Sequence, residues 1–350
     1  MVSMGRSAEI DGLRFGCNLL VPLIHAGQFP VAIGGIEFGI WSYLGSYFAE
    51  AALPTLFLMS GYLFFVGEGD GRTLAWKLMR RIRRLLVPFL LWNVVFCALY
   101  LFVGHYSPRT AERMDAAGVT SALGFVREVF NFTRPLLYGP LWFLRALFFL
   151  AVFGAIARLA VMRMRKGRFL VYGVFVALAL IGSFYWNQSI GAPPYAFALY
   201  FLGGLIAEWG RNPAEVFRRT RWAWLGFLLV GTSFLFFTDS SAWGLPSGWK
   251  QLVWFVAAFA FWGWARELSF FATNSWSVKW LLPTGFFVYV IHIFINRMVF
   301  HAAASHLPEV SGALSVVSLM TLLTSILIPM LIWHGLSRIL PRLTAVLDGR

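Results

Sequence analysis

The chain has 350 residues, of which 59% are hydrophobic and 13% charged, and its formal net charge is +14. A soluble domain contains roughly 25% charged residues, so this composition excludes a water-soluble globular protein and predicts a polytopic membrane protein. The basic residues lie in short stretches between apolar runs, which disfavours a nucleic-acid-binding surface. Cys17 and Cys97 both fall in apolar segments, so no disulfide framework is predicted.

Ten apolar segments approach the length of about 20 residues that a bilayer-spanning helix needs. They cover residues 12–30, 41–66, 85–104, 139–161, 169–186, 195–209, 222–238, 249–265, 282–300 and 312–336. No repeat of fixed period and no low-complexity linker interrupts this series. The expected fold is therefore an all-α polytopic membrane protein of about ten transmembrane helices, forming one domain over residues 1–350.

The positions of Lys and Arg predict how these segments are oriented. If the N-terminus is cytoplasmic, five of the 29 basic residues fall in outside loops and three in or beside spans, whereas all the others fall inside. The outside group consists of Arg109, Arg113, Arg127, Arg134 and Lys250. Because cytoplasmic loops carry the excess of Lys and Arg, both termini are predicted to be cytoplasmic. The longest outside loop then spans residues 105–138.

The first segment carries two ionisable side chains, Arg14 and His25, within the stretch GLRFGCNLLVPLIHAG. Their separation of eleven residues is only about 20° from three full helical turns and corresponds to a rise of about 16 Å. Both are therefore predicted on one helix face, with Arg14 at the cytoplasmic mouth and His25 near the bilayer midplane. Taken alone, Arg14 would be explained as an interfacial anchor and His25 as a helix–helix hydrogen-bonding residue. Their shared face indicates instead that both line one channel.

Two later segments place ionisable residues at a similar depth. Glu50 lies inside the second segment and His292 inside the ninth, whereas Arg145 lies closer to the outer face in the fourth. Ionisable residues in a membrane bundle usually face one another or a wet cavity and are functional candidates. His25, Glu50 and His292 are therefore the candidate catalytic residues of a midplane polar site, and three unrelated polar contacts are the alternative.

A basic cluster follows the second segment in the stretch KLMRRIRRLLVPF. Positive-inside anchoring and contact with anionic lipid explain such a cluster in the ordinary way. Arginine forks also hold phosphate well, so Arg80, Arg81, Arg83 and Arg84 are candidates for binding a phosphate-rich cytoplasmic ligand.

Five motifs, in this order along the chain, resemble those of the acyltransferase 3 family of integral-membrane O-acyltransferases. They are the Asp11-x-Leu13-Arg14 group with His25 eleven residues after Arg14, SGYL in LFLMSGYLF (residues 56–64), RRIRRLLVP (residues 80–88), LWFL (residues 141–144) and Tyr289 with His292. One such motif alone would be a weak signal. Five in the same order cover most of the chain, and the predicted topology of ten spans agrees with them independently.

This resemblance implies an enzyme that takes an acyl group from cytoplasmic acyl-CoA and places it on a hydroxyl, often that of an extracytoplasmic sugar. In parts the chain is similar to the sugar O-acetylase branch, which implies acetyl-CoA as the donor and a sugar or lipid-linked glycan as the acceptor. The implied location is a bacterial cytoplasmic (inner) membrane. Acyl-CoA would be a substrate, with no permanently bound cofactor, no metal and no nucleic-acid partner, and membrane lipid would surround the protein.

Each step of this reaction has candidate residues. Arg14 and the basic cluster would hold the CoA phosphates, and the pantetheine arm would run along the first helix to His25. His25 would act as a general base on the acceptor hydroxyl or as an acylated relay, two routes that the sequence leaves open, and Glu50 would orient it. The candidate substrate-binding residues are Ser60, Trp142 and Arg145, although a Ser before Gly in a membrane helix more often packs tightly.

The main rival is a secondary transporter, in which the same polar residues would form a proton relay or a midplane substrate site. Such transporters usually contain an internal repeat, and the sequence contains none. A structural or lipid-handling membrane protein is a further alternative, but it leaves the shared face of Arg14 and His25 unexplained.

The topology gives a first testable prediction. In a background where both native cysteines are replaced, single cysteines near residues 80, 215 and 272 should resist a membrane-impermeant thiol reagent in intact cells. A cysteine in the loop of residues 105–138 should react, because that loop is predicted to be outside. Labelling at residue 165 from outside would overturn the predicted orientation.

Overall fold

The computed structural model describes residues 8–34, 39–67, 71–133, 135–162, 167–185, 192–239, 247–274, 280–304 and 311–349. Every regular element in these ranges is a helix or a helical turn, and no strand occurs in them. The helices are α1 (Ala8–Gly34), α2 (Gly39–Tyr43), α3 (Ala52–Phe65), α4 (Gly71–Arg81), α5 (Val87–Gly104), α6 (Pro108–Ala116), α7 (Ala122–Val129), α8 (Trp142–Met162), α9 (Arg168–Tyr185), α10 (Pro194–Glu208), α11 (Pro213–Arg218), α12 (Arg221–Asp239), α13 (Ser247–Gly263), α14 (Ala265–Asn274), α15 (Gly285–Ala304), α16 (Ser311–Ile339) and α17 (Pro341–Leu347).

Each of the ten apolar segments coincides with a helix or with a continuous run of helical turns. Six of them are long and apolar enough to cross a bilayer in the described part of the chain, namely Ile40–Phe65, Thr73–Gly104, Gly139–Met162, Arg221–Thr238, Leu282–Phe300 and Ser315–Ile339. Phe169–Ser183 and Pro194–Glu208 are shorter apolar helices. The all-helical architecture is confirmed for the described residues, with six candidate membrane-spanning helices, whereas the count of ten and the cytoplasmic termini stay predictions.

The apolar surface of these helices is distributed as a lipid environment requires. Of the apolar windows, that of Ile40–Phe65 is 78% buried inside the protein, whereas that of Arg221–Thr238 is only 17% buried. Along α12, Phe227, Val230, Phe234 and Phe237 are exposed. A soluble protein rarely exposes such a continuous apolar stripe, so this face of α12 is suited to contact with lipid tails.

The chain divides into two compact units. Unit 1 comprises Met1–Gly67, Met164–Asn187 and Pro194–Gly335, and unit 2 comprises Glu68–Arg163, Gln188–Pro193 and Leu336–Arg350. Unit 1 therefore contains α1 to α3 and most of the second half of the chain. Unit 2 contains α4 to α8 and the C-terminal helix α17.

Helix α1 is central to unit 1 and packs against α14, α15, α3 and the helical turns that follow α2. Its contacts with α15 keep a constant register, because Asn18 lies against Gly285 and His25 lies beside His292. The two helices consequently run parallel, which is the direction that the predicted topology gives to the first and ninth spans. Close approach is possible because Gly285 has no side chain to collide with Asn18.

Helix α3 crosses α10 at two glycines in unit 1. A Cβ atom on Gly61 would overlap the backbone of Tyr200, and one on Gly203 would overlap the carbonyl oxygen of Leu58. Helix packing in membranes uses small residues to bring backbones together. The SGYL stretch, one of the five motifs of the sequence analysis, is thus, at its glycine, a helix-crossing point.

The basic cluster of unit 2 is helical, whereas the charge pattern predicts a loop there. Residues 71–81 form α4, which continues through a π-helical turn at Ile82–Leu86 directly into α5. Lys and Arg are good helix formers, so their charge alone does not interrupt the helix. Arg83 and Arg84 lie within the π turn, a local widening that is frequent at functional sites.

The described residues of the predicted outside loop, 105–133 and 135–138, are folded in unit 2. They form α6 and α7, which pack against α5. The side chain of Ser121 caps α7 by accepting a hydrogen bond from the Gly124 N–H at 3.1 Å. The loop is therefore a folded layer and not a simple connection.

The α3–α10 crossing predicts the outcome of a conservative substitution. Gly61→Ala should destabilise the protein by about 1–3 kcal/mol, since the added methyl group forces the helices apart. The matched control is Gly226→Ala in α12, where an added Cβ meets no atom within 4 Å, and this variant should be neutral or slightly stabilised. Thermal unfolding of the purified proteins in detergent measures both, and equal melting temperatures would contradict the crossing.

Candidate functional site

Two histidines that are far apart in sequence meet inside unit 1. The rings of His25 on α1 and His292 on α15 are stacked, with centroids 5.1 Å apart and planes inclined by 27°. His292 has no exposed surface and His25 is half-buried. The structure thus brings together two of the three candidate catalytic residues, side by side on parallel helices.

The hydrogen bonds of His292 determine which ring nitrogen carries its proton. Its Nδ1 lies 2.6 Å from the carbonyl oxygen of Tyr289 and 3.2 Å from that of Val288. Carbonyl oxygens only accept, so Nδ1–H is the donor, and in the neutral ring Nε2 carries the lone pair. Nε2 is buried and has no hydrogen-bond partner among the described residues, which makes it an acceptor for an incoming donor.

Asn296 lies one turn after His292 on the same face of α15. Its Nδ2 donates a hydrogen bond to the carbonyl oxygen of Pro22 on α1 at 3.4 Å. Its buried Oδ1 has no hydrogen-bond partner in the described part of the chain. Two acceptor atoms, Nε2 of His292 and Oδ1 of Asn296, therefore lie on the α15 face that contacts α1, and such a face suits a ligand that offers hydroxyl donors.

Arg14 belongs to the same uninterrupted helix as His25, since α1 runs from Ala8 to Gly34. The predicted shared face and rise of about 16 Å therefore apply to the folded chain. Glu50 lies in a 3₁₀ turn, Ala49–Ala51, that packs against α1. The carboxyl group of Glu50 lies near the phenol hydroxyl of Tyr195. All three candidate catalytic residues and Arg14 belong to unit 1.

Unit 2 holds the other candidate residues except Ser60, which is buried on α3 in unit 1 beside the Gly61 crossing. Arg80 and Arg83 are exposed, whereas Arg81 and Arg84 are half-buried. The guanidinium of Arg80 lies over the ring of Trp76 at 5.2 Å. Trp142 is half-buried at the start of α8.

Arg145 is held by a buried polar network within unit 2. Its Nη1 donates to the carbonyl oxygen of Asn131 at 3.2 Å, and the Glu128 carboxylate acts on its charge. Glu128 accepts hydrogen bonds from the Leu137 N–H at 2.6 Å and from Asn131 Nδ2 at 3.0 Å. Arg145 therefore ties α8 to the 105–138 layer, in addition to any contact with substrate.

Asn296, Glu128 and Asn131 are polar residues that the sequence analysis did not select. Asn296 could have been found, because it lies four residues after His292 on an apolar helix. Glu128 and Asn131 lie at the end of α7, in a stretch that the sequence predicts to be an exposed loop, and no hydrophobic periodicity marks them. No group of three or more His, Cys, Asp or Glu residues in the described ranges has metal-binding geometry.

The fold and the site together define an all-helical membrane protein with a buried polar centre on its first and ninth apolar helices. Residues 7–334 match the acyltransferase 3 family, whose description is an acyltransferase domain. This match covers nearly the whole chain, so the protein belongs to that family. No curated protein and no solved structure matches the chain.

The buried network of unit 2 gives a stability prediction. Glu128→Ala should destabilise the protein by roughly 2–5 kcal/mol, because two buried donors lose their acceptor and the buried Arg145 loses its neighbouring negative charge. Glu112→Ala is the matched control, since Glu112 is exposed on α6 in the same layer. Limited proteolysis between residues 105 and 138 reports the loss directly, and equal cleavage rates in the two variants would contradict the network.

Proposed function

We propose that this family member transfers an acyl group from cytoplasmic acyl-CoA to a hydroxyl of a sugar or lipid-linked glycan. Acetyl is the proposed acyl group. The observation that carries the proposal is the stacked pair of His25 and His292, with acceptor atoms of His292 and Asn296 facing α1. A bacterial cytoplasmic membrane is the proposed location, because it separates acyl-CoA from an extracytoplasmic glycan.

The proposed chemistry begins with the acceptor hydroxyl between the two helices. The His25 imidazole removes the hydroxyl proton as the oxygen attacks the thioester carbonyl, and the C–S bond then breaks. The proton goes to the departing thiolate, so the products are an ester and free CoA. General-base catalysis of this kind contributes about 10² to 10⁴ in rate.

His292 has a supporting role in this proposal. Two positive charges about 5 Å apart repel each other strongly in a low-dielectric interior, so the stacked rings favour a pair with at most one added proton. That arrangement keeps a neutral ring available as a base. Nε2 of His292 and Oδ1 of Asn296 would each accept a hydrogen bond from a different hydroxyl of the sugar, which fixes the acceptor in place.

The donor would enter along α1. Arg14 would contact the pyrophosphate, and the Arg80–Arg84 cluster remains a second candidate phosphate contact. Glu50 would stabilise the imidazolium that forms on His25. Ser60, Trp142 and Arg145 remain the proposed acceptor-binding residues, although the packing around Ser60 and the hydrogen bond of Arg145 give both of them structural roles as well.

The proposal is tested with inside-out membrane vesicles that receive radiolabelled acetyl-CoA. Vesicles containing the protein should transfer label to envelope glycans or lipids, and vesicles without it should not. His25→Gln keeps hydrogen-bonding capacity but cannot take a proton, so it should lower the transfer rate by 10²-fold or more.

His292→Gln is the companion variant in the same assay. It should raise the acceptor concentration needed for half-maximal rate and lower the maximal rate less than His25→Gln does. Near-normal transfer by His25→Gln together with loss of transfer in His292→Gln would assign the base to His292 instead. Transport of a solute without consumption of acetyl-CoA would refute the transferase.

A further inference from the structure

A pocket of about 510 Å³ lies in unit 1 where α10 ends and α11 begins. Its lining residues are Trp209, Arg211, Glu215, Val216, Arg218 and Arg219. Three arginines and one carboxylate give this lining a net charge of +2. Its volume falls in the range of about 300–1,000 Å³ that is typical of small-molecule sites.

The local backbone explains why these side chains converge. Gly210, with φ of 69°, ends α10 in a left-handed conformation that glycine adopts easily. Asn212 then caps α11 by accepting a hydrogen bond from the Ala214 N–H at 3.1 Å. This tight turn places Arg211 over the ring of Trp209, at 5.7 Å from its centroid, and projects the C-terminal arginines of α11 toward the same opening.

A hydrogen bond joins the pocket region to the start of α1. Asn212 Nδ2 donates a hydrogen bond to the Glu9 carboxylate at 2.8 Å. Tyr62 of the SGYL stretch is near both Glu9 and Glu215. Glu9 precedes Arg14 by five residues, or about 7.5 Å along the helix. The order along α1 is therefore the pocket at Glu9, then Arg14, then His25.

We propose that this pocket is the subsite for the 3′-phosphoadenosine end of an acyl-CoA donor. The inference rests on the proposed function, which it extends by naming where the nucleotide binds. Trp209 offers a face on which an adenine ring stacks, and Arg218 and Arg219 offer forks for the 3′-phosphate. Glu215 can accept a hydrogen bond from the adenine amino group or the ribose hydroxyl.

The length of CoA agrees with this placement. About thirteen bonds separate the pyrophosphate from the sulfur, and an extended chain advances roughly 1.2 Å per bond, so the arm spans about 16 Å. This equals the rise of about 16 Å from Arg14 to His25. With the thioester at His25 and the pyrophosphate at Arg14, the nucleoside continues past Arg14 toward Glu9 and the pocket.

An anionic phospholipid headgroup offers the same phosphate chemistry, and Trp with Arg is common at membrane interfaces. The test therefore compares donors that differ only at the nucleotide end: acetyl-CoA, acetyl-dephospho-CoA, which lacks the 3′-phosphate, and acetyl-pantetheine, which lacks the nucleotide. The variant is Arg218→Gln/Arg219→Gln. Its matched control is Arg338→Gln/Arg342→Gln, which also removes two exposed charges.

In the vesicle transfer assay, the pocket variant should raise the KM for acetyl-CoA ten-fold or more, since it loses charge-assisted phosphate contacts. Its KM for acetyl-dephospho-CoA should change less, its KM for acetyl-pantetheine should not change, and the control should stay within two-fold of the parent throughout. An equal increase in KM for all three donors, reversed when the purified variant is reconstituted in phosphatidylcholine vesicles that also contain phosphatidylglycerol, would assign the pocket to a lipid headgroup and overturn the inference.

A binding measurement separates this inference from the proposed function. Calorimetry should show that adenosine 3′,5′-bisphosphate binds the purified protein and binds the pocket variant at least ten-fold more weakly. If the protein transfers label from acetyl-CoA and the variant binds the bisphosphate as tightly as the parent does, the proposed subsite is wrong and the proposed transferase activity is still supported. Bisphosphate binding that the variant weakens, in a protein that transfers no label, would support the pocket and refute the transferase.

Discussion

The site depends on the contact between two imidazole rings inside an apolar helix bundle. A polar group removed from water needs a hydrogen-bond partner or it costs several kcal/mol. His292 meets part of this need with carbonyl oxygens of its own helix and places its other side against His25. Helices α1 and α15 must therefore keep one register, and the contacts of Asn296 with Pro22 and of Gly285 with Asn18 keep it. Helix packing rather than loops therefore positions this candidate site.

Sequence motifs shared with a family combine residues of two physical kinds, and the structure separates them. Gly61 allows two backbones to touch, so its replacement acts through packing. Nε2 of His292 has no hydrogen-bond partner among the described residues, so replacement of His292 is expected to act through hydrogen bonding or proton transfer. Arg145 is an intermediate case, because its buried guanidinium holds a loop layer and is also one of the proposed acceptor-binding groups. A motif match alone does not distinguish these roles.

Hydropathy and helical periodicity predicted the apolar helices of the described ranges and grouped His25, Glu50 and His292, and the structure brings His25 and His292 of these three into contact. The grouping was predictable because depth in a bilayer follows from helix rise. They could not predict the Glu128 network, since loop helices are positioned by tertiary contacts that leave no periodic pattern. They also assigned Arg211, Arg218 and Arg219 only to topology, because a charge that orients a membrane protein and a charge that lines a pocket look the same in sequence.

Two sets of arginines are candidates for the donor phosphates, and they belong to different units. Arg14 and the α10–α11 pocket share unit 1 with His25, whereas Arg80, Arg81, Arg83 and Arg84 belong to unit 2. The pyrophosphate at Arg14 and the 3′-phosphate in the pocket would account for all the phosphates of a CoA along a single helix. Unit 1 alone would then hold the whole donor. Contact with anionic lipid would be a sufficient explanation for the basic cluster, whose Arg80 lies over Trp76 in the manner of an interfacial anchor.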